Sequence, residues 1–166
     1  RYAGVLKLVK EKSNWEQPKD GIHKGVSAYF CHNSYVAQVV EVRMVNDRPK
    51  IEKVYCAVDC GIVVNRLGAL NQIEGGIIDG IGHAMFSALS FKDGQVEQNN
   101  FDKYRLIRLN EAPEIETHFV DNGVAPTGLG EPTLPPIAAA VANAIYKATG
   151  TRLYKQPFTT EGALLG

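Results

Sequence analysis

The sequence has no excess of either charge. Its 18 lysines and arginines stand against 18 aspartates and glutamates, for a formal net charge of zero. A protein that binds nucleic acid through bulk electrostatics shows a basic excess, so that class is set aside. Long apolar runs are missing too: none approaches the roughly 18 residues of a membrane span. No secretory signal pattern is present, and the compartment stays open between cytoplasm and periplasm. Cysteine is scarce. Three cysteines are an odd number and too few for a disulfide framework, so the fold must rest on its core. With 45% of 166 residues hydrophobic and 22% charged, the chain can build that core and fits one domain of ordinary size.

Familiar catalytic signatures are also absent. There is no G-x-S-x-G elbow and no P-loop. Gly80 and Gly82 begin a G-x-G, but no glycine follows at 85, so the dinucleotide fingerprint fails. His23, His32, His83 and His118 show no tight metal-ligand spacing. Cys56 and Cys60 have the i, i+4 spacing that suits ligands on a helix, yet they lie in a strand-like pattern. The cysteines therefore read as core residues, and three cannot hold a four-cysteine iron–sulfur cluster.

What is present is ordered by period. Val5, Leu6, Leu8 and Val9 among Lys7, Lys10 and Lys12 predict a short amphipathic helix, followed by a linker at 15–21. Residues 1–20 are thus helix and linker, and 21–166 an α+β body. From Ile22 the period becomes two. Val36, Val40, Val42 and Met44 share one strand face, with Glu41 and Arg43 on the other. Val54, Cys56 and Val58 continue after an Asn46–Pro49 turn, so 35–59 is expected to be a hairpin beside a strand at 23–32. Ile73, Ile77, Ile81, Met85 and Leu89 predict a helix over 66–89. Asp93-Gly94 marks a tight hairpin, and 114–120 alternates as another strand. Pro135 and Pro136 open a last helix that Gly150 ends. The order predicts an α+β fold, a mostly antiparallel sheet with two long helices packed on it.

Glycine is plentiful and clustered. Seven of the 16 glycines lie in Gly75–Gly82 and Gly123–Gly130. Gly75, Gly76, Gly80 and Gly82 inside a helix cost roughly 3–4 kcal/mol against alanine, a burden kept where a backbone must approach something closely. Two readings stand: close packing through small residues, or a ligand held against the helix beside Gln72, Glu74 and Asp79. The second cluster holds Gly128-Leu129-Gly130-Glu131-Pro132. A glycine loop leading into a helix offers backbone N–H groups to an anion. Its carboxylate suits a general base or serves as a favourable charge near the helix start.

Four segments occur in a telling order. They are Val58-Asp59-Cys60-Gly61 with Val64-Asn65; Gln72-Ile73-Glu74-Gly75-Gly76; Asn100-Phe101-Asp102-Lys103-Tyr104 with Asn110-Glu111-Ala112-Pro113-Glu114-Ile115-Glu116; and Gly128-Leu129-Gly130-Glu131-Pro132 before Pro135-Pro136 and an alanine-rich helix. This series resembles the molybdopterin-binding large subunit of the xanthine dehydrogenase/aldehyde oxidase family, in its isoquinoline oxidoreductase beta-subunit branch, over nearly the whole chain. The resemblance implies a molybdopterin-binding-domain-like fold and an oxidoreductase that hydroxylates an N-heterocycle or oxidises an aldehyde with water as oxygen source. Glu131 would be the general base, and Gln72, Gly75, Gly76, Gly128 and Gly130 would meet the cofactor. No side chain here would ligate a metal directly. The implied partners are the remainder of the large subunit and a small iron–sulfur subunit. Arg1 opens a helical pattern at once, as expected of a C-terminal piece, and such a piece alone would be inactive. The competing expectation is a non-catalytic structural or interaction module that keeps the fold without the cofactor.

Overall fold

A computed structural model describes residues 1–160, so the last six residues of the expected 21–166 body lie outside the described residues. In chain order the elements are α1 (Tyr2–Ser13), β1 (His23–Cys31), β2 (Ser34–Val45), β3 (Arg48–Asp59), α2 (Arg66–Met85), β4 (Phe91–Lys92), β5 (Gln95–Val96), β6 (Glu114–Phe119) and α3 (Pro135–Thr149).

Two tight turns set the sheet. His32 and Asn33 have φ of 51° and 59°, and Asn46 and Asp47 have 49° and 60°. Positive φ at both central residues gives the hairpin turn whose twist matches its flanking strands. β1, β2 and β3 therefore form an antiparallel meander, as expected. β6 joins beside β3 in parallel, giving the order β1-β2-β3-β6. It is parallel because the connection from β3 carries α2 across the sheet rather than turning tightly. The Asp93-Gly94 hairpin also forms, but β4 and β5 make a separate two-stranded ribbon. Of the three later strands expected, only β6 extends the main sheet.

Alternation along β2 and β3 divides the core. Val36, Val40, Val42, Val54, Cys56 and Val58 face α2 and α3, while Ala37, Val39 and Ala57 face α1. Val5 and Val9 of α1 are fully buried against that small-residue surface. The protein is thus layered α1, sheet, α2 with α3. On the α1 side Glu41 is only 1% exposed. Lys24, its register partner on β1, stands at 3.6 Å, and Lys19 at 2.7 Å. Lys24 also donates to the carbonyls of Ser13 and Asn14 at the end of α1. That placement suits a cation, since the last carbonyls of a helix carry partial negative charge.

α3 rests on β1 almost backbone to backbone. A Cβ at Gly25 would stand 2.1 Å from the Ala140 carbonyl oxygen. Ser27 Oγ donates to the Pro136 carbonyl at 2.7 Å, and Asn143 Nδ2 donates to that of Val26 at 3.0 Å. Gly150, at φ 74°, ends α3 as expected. α2 stops four residues short of the expected end. The Gly82 carbonyl accepts both the Phe86 and Ser87 N–H at 2.9 Å, and Ser87 Oγ turns to the Arg105 carbonyl at 2.7 Å. The apolar recurrence outlasts the helix, and Leu89 is left exposed.

Asp59 closes β3 and is fully buried. Arg1 grips its carboxylate through Nε at 3.0 Å and Nη2 at 2.8 Å, and Asn122 Nδ2 donates at 2.8 Å. Burial pushes the carboxyl pKa up, but hydrogen bonds from Arg1, Asn122 and Gly61 outweigh it and hold the group below its ordinary value. A carboxyl depressed by folding stabilises the protein above its unfolded pKa, about 3.9. That contribution is lost as pH falls through the lower folded value. Asp59→Asn is expected to cost about 1–3 kcal/mol at neutral pH and to flatten the fall in stability below about pH 4. Urea unfolding over a pH series reads both effects.

Candidate functional site

After β6 the chain runs back across one end of the sheet as a loop, residues 120–134, before α3 begins. The loop is stitched down along its first half. Val120 N–H donates to the Val58 carbonyl at 2.8 Å, Thr127 N–H to that of Cys60 at 2.9 Å, and Gly128 N–H to that of His32 at 3.1 Å. Buried Ser34, at the start of β2, donates from Oγ to the Gly128 carbonyl and meets Thr127 Oγ1 at 2.7 Å. Past Glu131 the loop is fixed again by Thr133, which is fully buried. Gln38 Nε2 of β2 donates to the Thr133 carbonyl at 2.8 Å, and Thr133 Oγ1 donates to the Ile73 carbonyl of α2 at 3.3 Å.

Glu131 sits between these two anchors. Its side chain is 60% exposed, and His32 Nε2 of the β1–β2 turn donates to its Oε2 at 2.9 Å. The other carboxylate oxygen has no partner among the described residues. The carboxylate precedes α3 by four residues, so the β1–β2 turn holds it rather than the helix start.

α2 passes beside this loop. A Cβ at Gly130 would lie 4.0 Å from Gln72 Oε1, and one at Gly75 would meet nothing within 4 Å. Gln72 of α2 thus lies beside Gly130, the residue before Glu131, and Gln72, Gly75, Gly130 and Glu131 are each exposed. Gly76 and Gly128 are used differently. A Cβ at Gly76 would strike Thr133 Oγ1 at 2.5 Å, and one at Gly128 would strike His32 Cβ at 2.6 Å. Gly80 likewise faces Ile137 Cγ2 at 2.4 Å. Close packing thus accounts for Gly76 and Gly80, while Gly75 faces open space. Asp79 turns to His83, 3.7 Å away.

Electrostatics around the loop are simple. Burial, with the Glu131 charge nearby, pushes the Cys31 thiol pKa up, and burial pushes that of Cys56 up to about 12. Both thiols are poor nucleophiles in that state. Among the described residues no group of three or more His, Cys, Asp or Glu could hold a metal ion. Near Glu131 the exposed Gln72 amide and the side-chain-free backbone at Gly130 are groups suited to hydrogen-bonding a polar organic molecule. A cavity of about 670 Å³ lined by Arg48, Ile51, Met85 and Arg105 opens at the opposite end of the sheet and includes none of these residues.

Sequence reasoning missed His32, Thr133 and Gln38. His32-Asn33 between two apolar strands carries a turn signal, but nothing local says that its imidazole meets residue 131. A lone glutamine in a valine-rich strand and a threonine after a proline give no signal of their joint burial.

The model of the molybdopterin cofactor-binding domain matches residues 5–113. The isoquinoline 1-oxidoreductase subunit beta of Brevundimonas diminuta is 31% identical over 95% of this chain and 21% of its own length. The xanthine dehydrogenase molybdenum-binding subunit of Escherichia coli O157:H7 is 34% identical over 61% of this chain and 14% of its own. Among solved structures, the aldehyde oxidoreductase of Desulfovibrio gigas superposes with a TM-score of 0.63 at 26% identity, over 75% of this chain and 14% of that one. The chain spans at most about a fifth of these relatives.

The glycines of α2 are separable by experiment. Gly80→Ala and Gly76→Ala force a methyl into occupied space and are expected to destabilise by about 1–3 kcal/mol. Gly75→Ala adds a methyl to open space and is expected to stabilise by up to about 1 kcal/mol through helix propensity. Denaturant midpoints of the three variants check the ranking.

Proposed function

This chain belongs to the molybdopterin cofactor-binding domain family, and from that premise we propose that it forms one wall of the active site in the large subunit of a molybdenum hydroxylase, with Glu131 as general base. The observation that carries the reading is the double anchoring of Glu131. The loop is pinned at Gly128 and at Thr133, and the exposed carboxylate between them follows Gly130, which stands beside Gln72 of α2. A base must be held in place yet keep an oxygen free to accept a proton, and Glu131 has that arrangement.

The overall change is R–H plus water giving R–OH, two protons and two electrons, where R–H is an electron-poor carbon of an N-heterocycle or an aldehyde. When bound, the molybdenum cofactor supplies the two-electron redox chemistry. This chain's part is to bind and to move a proton. Gln72 offers its amide, Gly75 and Gly130 offer bare backbone to the cofactor, and Glu131 receives a proton at the carboxylate oxygen that has no partner among the described residues. Gly76 and Gly128 support the site indirectly, by letting Thr133 and His32 come close. The electrons leave through a small iron–sulfur subunit, and the remainder of the large subunit supplies the other walls. Among the described residues no helix is long and apolar enough to cross a membrane.

In the full-length protein, Glu131→Gln is expected to lower kcat by about 10²–10⁴-fold while molybdenum content stays unchanged. Undiminished turnover would remove Glu131 from the mechanism. Elemental analysis of the isolated 166-residue chain is expected to find no stoichiometric molybdenum, since one wall cannot retain the cofactor.

A further inference from the structure

We infer that His32 is the positioning residue for Glu131: the β1–β2 turn exists in its particular form to hold the base carboxylate in place. This rests on the reading of Glu131 above and adds to it the group that acts through it.

Three observations converge on one contact. First, His32 Nε2 donates to Glu131 Oε2 at 2.9 Å across 99 residues of sequence, and the described residues give that carboxylate no other hydrogen-bond partner. Second, the backbone that carries the imidazole is held in a defined conformation. His32 adopts φ 51° in a two-residue turn, a left-handed conformation uncommon outside glycine, asparagine, aspartate and histidine. Its carbonyl accepts the Gly128 N–H at 3.1 Å. Third, Gly128 has no side chain where one would collide with His32 Cβ at 2.6 Å. The glycine of the loop is therefore matched to the histidine of the turn. Turn, loop and carboxylate form a closed circuit: His32 carbonyl to Gly128 N–H, three residues of chain to Glu131, and Glu131 Oε2 back to His32 Nε2.

The circuit has a chemical consequence. A glutamate side chain has three rotatable bonds, and an exposed one samples many rotamers. Occupying one oxygen with a ring nitrogen on a rigid turn leaves the second directed away from the turn. Such preorganisation matters because a misplacement of about 1 Å can cost about 10²-fold in rate. As an exposed ion pair the contact would contribute little stability, so its expected effect lies on the reaction.

Two substitutions separate positioning from turn structure. Asparagine favours the same left-handed backbone but is too short to reach Glu131, so His32→Asn keeps the turn and removes the bond. Glutamine is long enough to donate from its amide, so His32→Gln restores it. In the full-length protein, assayed with isoquinoline, xanthine and benzaldehyde as probes, His32→Asn is expected to lower kcat about 10–100-fold with KM within about twofold. His32→Gln is expected to recover most of that loss. Crystals of the same variants give a readout independent of turnover. The Glu131 carboxylate should be displaced or spread over several positions in His32→Asn and return in His32→Gln. The inference is overturned if Glu131 keeps its place in His32→Asn, if kcat is unchanged there, or if His32→Gln is as impaired as His32→Asn. Retained turnover in Glu131→Gln would instead sink the catalytic reading, and the carboxylate's position in the crystals would still decide whether His32 holds it.

Discussion

The buried hydrogen bonds of Thr133 are the constraint on which the arrangement depends. One residue joins three elements: its carbonyl takes the Gln38 amide from β2, and its hydroxyl reaches the Ile73 carbonyl of α2. A buried polar group without partners costs about 1–3 kcal/mol, so once Thr133 is inside, these bonds are obligatory. They fix where the loop leaves the core and where α3 begins. They also explain Gly76, whose missing side chain is the space that the Thr133 hydroxyl fills. Glu131 inherits its position from this node on one side and from the Gly128 contact with the β1–β2 turn on the other.

The layers serve that placement. α3 can lie on β1 because Gly25 lets the two backbones approach, and α2 can lie on α3 because Gly80 does the same. Close approach brings Gln72 of α2 alongside Gly130 of the loop, the residue before Glu131. On the other face, α1 covers the small residues of β2 and β3 and is fastened at its end by Lys24 and at its start by Arg1 on Asp59. A charge as deeply buried as Glu41 is tolerable only because Lys24 and Lys19 meet it. The outcome is a packed frame that presents the exposed Glu131 carboxylate at the end of the sheet.

Legibility in the sequence followed range. Helices and strands with clear periods were readable: the α1 stripe of Val5 and Val9, the alternation of Val36 to Val42, the Pro135–Gly150 limits of the last helix. Boundaries governed by side-chain bonds were not. α2 ends where Ser87 turns to Arg105, and the repeating isoleucines continue past that point in pattern only. The direction of β6 was hidden as well, because alternation looks the same in parallel and antiparallel pairing. The resemblance to molybdopterin-binding large subunits was legible from four short ordered segments, and the family match and solved relatives agree with it. Glycine was the ambiguous letter. Gly75, Gly76 and Gly80 look alike in sequence, and only their surroundings separate an open face from two tight contacts.

What the amino-acid order determined by itself was whatever depends on neighbours within a few residues: secondary structure, the tight turns at Asn46-Asp47 and Asp93-Gly94, the family, and the presence of a carboxylate on a glycine loop. What tertiary structure alone decided was the company that carboxylate keeps. His32 lies 99 residues from Glu131 and Gln38 lies 95 from Thr133, separations over which no local propensity acts. Those pairs exist because backbones packed closely at glycines bring the ends of distant elements together: the buried Gln38 Nε2 and Thr133 carbonyl then satisfy each other, while His32 and Glu131 meet at the exposed rim.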